Sequence, residues 1–60
     1  MNQRKIQAVI NRLNASIEAK QNNKKMKIYS EFLTKDFYDG AIYGIKEAIN
    51  MLIMLKESIR

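Results

Sequence analysis

The chain contains no cysteine, no histidine and no proline, and only two of its 60 residues are glycine. Without cysteine it cannot form a disulfide, and without cysteine or histidine it cannot build an ordinary zinc site. The commonest general base and the commonest soft nucleophile are both missing. Ser16, Ser30, Thr34 and Ser58 have no activating partner in view. The six carboxylates are scattered, and only Asp36 and Asp39 are close enough to share a helix face. As a metal pair they lack further oxygen ligands, whereas capping and dipole compensation account for both. No phosphate-binding loop is present, because Gly40 and Gly44 have neither a preceding strand nor a following lysine. These absences point away from an enzyme and from any cofactor or metal.

Long apolar runs are also missing. The longest, Met51–Leu55, has five residues, far short of the roughly 20 that cross a bilayer. No membrane span and no signal peptide are expected, and the lack of cysteine fits a reducing, cytoplasmic setting. The absence of proline favours long helices with few turns.

Two periodic segments stand out. Ile6, Ile10, Leu13 and Ile17 step by four, three and four residues, the spacing of a coiled-coil-like seam. A first helix is expected from Asn2, which can cap it, to about Gln21. Lys20 and Lys24 then fall where apolar residues should follow, and Asn22-Asn23 reads as a turn or, since neither Gly nor Pro enforces a stop, as a frayed continuation. Ile42, Ile45, Ile49, Leu52 and Ile53 form the stripe of a second helix, clearest from Asp36 to Ile59, with Asp36 as its cap. Between them, Met26, Ile28, Tyr29, Phe32 and Leu33 are not loop residues. Residues 22–35 therefore read as a loop, a short middle helix or an early start of the second helix. Phe32, Phe37 and Tyr38 are expected to plug the hairpin end.

The second helix has a further sticky side. Gly40, Gly44 and Ala48 recur every four residues, where helix 1 or a second protomer can approach closely. Met51-Leu52-Ile53-Met54-Leu55 points apolar groups in every direction, more than one partner helix can bury. A chain this short barely supports one core, and dimerisation is the remaining common way to enlarge it. Gly40, Gly44, Ala48, Met51, Met54 and Leu55 are the expected dimer interface.

Charge is uneven. Residues 1–27 carry seven lysines and arginines against Glu18 alone, a net +6, while residues 28–60 carry four against five acids, a net −1. A basic half of this kind suits an acidic partner, either a protein surface or nucleic acid. The candidate contact residues are Arg4, Lys5, Arg12, Lys24, Lys25 and Lys27, with Tyr29 and Tyr43 as exposed aromatics. The competing explanation is a solvated face that keeps a small oligomer soluble. No helix-turn-helix, zinc-finger or RNA-recognition signature is present.

Isoleucine, lysine and asparagine supply 23 of the 60 residues, a bias typical of AT-rich genes. The segment Tyr38-Asp-Gly-Ala-Ile-Tyr-Gly-Ile-Lys-Glu-Ala-Ile-Asn-Met-Leu52 resembles the C-terminal helices of small uncharacterised phage proteins of low-GC bacteria. It covers about a quarter of the chain. The resemblance implies an accessory role and names no activity.

Together these readings predict one all-α domain spanning residues 1–60. It is an antiparallel helical hairpin, with or without a short middle helix, that dimerises into a four-helix-bundle-like assembly. The expected core is Ile6, Ile10, Leu13, Ile17, Phe32, Phe37, Ile42, Ile45, Ile49, Leu52 and Ile53. The expected function is non-enzymatic protein binding, as an adaptor or inhibitor of a host protein in defence or transcription. The alternatives are a small nucleic-acid-binding regulator and a purely structural assembly element.

Overall fold

Two helices pack antiparallel along their length. The computed structural model describes residues 2–59, with α1 at Gln3–Lys25 and α2 at Lys35–Ser58. Asn2 caps α1 as expected: its side-chain oxygen accepts from the Lys5 amide at 2.9 Å. That bond satisfies one of the four amides a helix start leaves unpaired.

α1 runs one turn past the expected stop at Gln21. Asn22 and Asn23 do not break it, because neither Gly nor Pro forces a stop there and the helical bonds continue to Lys25. The actual terminator is Lys27, at φ 56°. Its amide bonds to the Lys24 carbonyl (3.1 Å) and the Ile28 amide to the Asn23 carbonyl (2.9 Å). This bond pair closes a helix through a left-handed residue, a place usually held by glycine.

Neither a middle helix nor an early start of α2 is present. Residues 26–34 form a turn-and-bend connection. Serine and threonine hydroxyls compete with helical bonding here. Ser30 Oγ accepts from the Leu33 amide, and the Ser30 amide returns to the Leu33 carbonyl, each at 3.1 Å. Thr34, not Asp36, caps α2, accepting from the Phe37 amide at 3.1 Å. Asp36 lies within the first turn, where its charge complements the helix dipole.

The core is a thin line. Ile6, Ile10, Ile17, Tyr38, Ile42 and Ile49 are buried. Leu13, Ile45, Leu52 and Ile59 are half-buried against them. Three expected core residues fall outside it. Phe32 is 79% exposed on the connection, because no helix carries it inward. Phe37 is exposed one position before Tyr38, since a helix turns by about 100° per residue and only one of the two can face α1. Ile53 sits at the edge of the packed stripe and is exposed.

The open end of the hairpin is fastened by polar contacts. The Gln3 side-chain amide donates to the carbonyls of Lys56 and Ile59, and Lys56 Nζ donates to Gln7 Oε1 at 2.6 Å. At the other end, Lys24 pairs with Asp39.

Candidate functional site

The six expected cations separate into two groups. Arg4, Lys5 and Arg12 lie on the outside of α1, all exposed. Lys5 and Arg12 are seven residues apart, and two turns of helix bring them to one side. Lys24, Lys25 and Lys27 lie at the connection. At 1.5 Å per residue, Arg12 and Lys24 are about 18 Å apart along the helix.

The second group has the more defined geometry. Lys24, Lys25 and Tyr29 come together with Gln21 and Lys35 around a concavity of about 430 Å³. Its shape depends on the left-handed turn at Lys27, which folds Tyr29 back so that its hydroxyl donates to the Lys24 carbonyl at 3.2 Å. The Tyr29 ring lies 6.0 Å from that of Tyr38, and Phe37 meets Tyr38 edge-on at the same distance. Lys35 belongs to this group because α2 begins at that residue and brings it level with the end of α1.

Lys24 is partly neutralised in this group. Its ammonium hydrogen-bonds Asp39 and, with Lys35 adding positive charge, holds the Asp39 carboxyl below its ordinary value of 3.8. Among the described residues no other ion pair forms. Arg4, Lys5, Arg12 and Lys25 therefore remain available to an external anion.

The aromatics and the small-residue stripe divide similarly. Tyr43 is well exposed on α2, as are Met51, Met54 and Leu55. Tyr29 is only partly available because it is tied to Lys24 and Tyr38. Gly40 and Gly44 do not contact α1: a Cβ built on either meets no heavy atom within 4 Å. Intramolecular packing is thus not what these glycines serve.

No protein-family model matches the chain, and neither a characterised protein nor a solved structure does so significantly.

Proposed function

We propose that this chain is a non-enzymatic protein-binding module that works as a homodimer, with four helices in the assembly. One observation carries the reading. Among the described residues, twelve large apolar or aromatic side chains are exposed and only six are buried. A folded hairpin with more apolar groups outside than inside gains most of its remaining stabilisation from partners. Self-association accounts for part of that surface, and a second protein for the rest.

The second partner presents acidic groups. Arg4, Lys5 and Arg12 on the outside of α1 supply its charge complement, and the exposed ring of Tyr43 supplies an aromatic contact. The likeness of residues 38–52 to small phage proteins supports a host protein, in defence or transcription, as the target.

A nucleic-acid reading has its own observation: the concavity of Lys24, Lys25 and Lys35 beside the Tyr29 ring. Lysines on phosphates and a ring beneath a base are the ingredients of single-strand binding. Capture of partners from bacterial lysate, with and without nuclease, tests the two readings. A protein retained after nuclease treatment, and lost from a variant reversed at Lys5 and Arg12, supports the first. Retention that vanishes with nuclease, and an affinity falling steeply with salt, would replace it by the second.

A further inference from the structure

Around the axis of α2, the stripe holding Tyr38, Ile42, Ile45 and Ile49 faces α1. Beside it runs another: Phe37, Ala41, Gly44, Ala48, Met51 and Leu55, at steps of four, three, four, three and four. That is heptad spacing sustained over nearly the whole of α2, with no polar side chain at any position. α1 leaves it open. Phe37, Met51 and Leu55 are 49%, 70% and 44% exposed, and Gly44 meets nothing within 4 Å.

Heptad spacing specifies what covers a stripe, namely a helix with a matching seam. The equivalent flank of α1 carries Lys5, Arg12, Ser16 and Asn23 beside Val9, so a second copy's α1 cannot complete an apolar seam. A second copy's α2 can. The area agrees. The chain exposes 4930 Å² at a mass of 7.0 kDa, whereas a compact monomer of that mass exposes about 4,000 Å². The excess of about 900 Å² is close to the ~800 Å² that one partner contributes to a standard interface.

Side-chain size sets the orientation. In an antiparallel pairing, Gly44 meets Ala48 of the other copy, Ala41 meets Met51 and Phe37 meets Leu55. Small residues then adjoin at the crossing and a small residue receives each methionine. A parallel pairing stacks Gly44 on Gly44 and Met51 on Met51, which leaves a gap at one level and crowding at another.

We propose that the Phe37–Leu55 seam of α2 is the self-association surface, packed antiparallel on the same seam of a second copy and crossing between Gly44 and Ala48. This rests on the homodimer reading and adds its face and orientation.

Two single-cysteine variants, A41C and M51C, test it in an otherwise cysteine-free chain. Oxidised together they should give a disulfide-linked pair; oxidised separately they should not. Like positions would lie about 15 Å apart along an antiparallel pair, beyond the reach of a disulfide. Bonding in each variant alone, with no mixed A41C–M51C product when the two are combined, would overturn the antiparallel orientation. No bonding in any sample, with the parent sedimenting as a dimer, would overturn the choice of face and leave the homodimer reading intact. A monomeric parent would overturn both. G44E should keep its helical circular dichroism and become monomeric. A dimeric, fully helical G44E would contradict the seam. Should G44E lose its helicity, the cysteine mixture decides alone.

Discussion

The Tyr38 hydroxyl donates to the Ile28 carbonyl at 2.7 Å, tying the first turn of α2 to the start of the connection, just past the turn at Lys27. Tyr38 is only 2% exposed. The same ring therefore fills the hairpin end and anchors nine residues that carry no regular structure. Y38F keeps the ring and removes the bond. It should cost about 1 kcal/mol, and amide exchange should quicken across residues 26–34 while α1 and α2 remain protected. Uniform exchange, unchanged from the parent, would show that the bond does not hold the connection.

Lys27 holds a left-handed backbone conformation that favours glycine. An ordinary L-residue there costs about 1–2 kcal/mol, part of which glycine returns through its freer unfolded chain. Thermal melting should place K27G above the parent and K27V below it. The reverse order would mean that α1 does not end through this turn.

The Asp39–Lys24 pair predicts a definite acid response. The folded carboxyl titrates below its ordinary 3.8 because Lys24 bonds its charged form. A depressed folded value means that the contribution is complete above the unfolded value and drains away as pH falls through the folded one. Chemical denaturation of the parent and D39N should show a constant difference from neutral pH down to mild acid. That difference should shrink only below the ordinary carboxylate value. It should also be small, since both side chains are a third or more exposed. A gap that widens on acidification would contradict the pairing.

Charge reversal at Lys5 and Arg12 separates recognition from folding. Both side chains lie outside the core and form no ion pair among the described residues. The double variant should keep its helicity and self-association, and its stability should change by less than about 0.5 kcal/mol per site. Its partner binding should disappear. Undiminished binding would make the α1 stripe a solvated face and move attention to Tyr43 and the connection.

The two helices were legible because Ile6, Ile10, Leu13 and Ile17, and Ile42, Ile45 and Ile49, keep one period over several turns. Asn2 was legible as a cap because its role is local. The connection was not. Its apolar residues suggested helix, but Ser30, Thr34 and the turn at Lys27 redirect the backbone through bonds that composition does not display. Phe37 was misplaced because residues 37 and 38 point about 100° apart on one helix, and Tyr38, four residues before Ile42, holds the inward position. The Phe37–Leu55 seam is likewise missed when only the four-residue steps of Gly40, Gly44 and Ala48 are followed. Of the interface residues expected from sequence, Gly44, Ala48, Met51 and Leu55 lie on the proposed seam. Met54 falls instead on the far side of α2, toward Tyr43.

In the proposed homodimer, this hairpin is one half of its working unit. Sedimentation equilibrium of the full chain over a range of micromolar concentrations tests it most directly. The expected mass is twice the 7.0 kDa of the chain, together with a melting temperature that rises with concentration, as linkage requires of an associating protein. A single species at the chain mass, melting at the same temperature throughout, would contradict it.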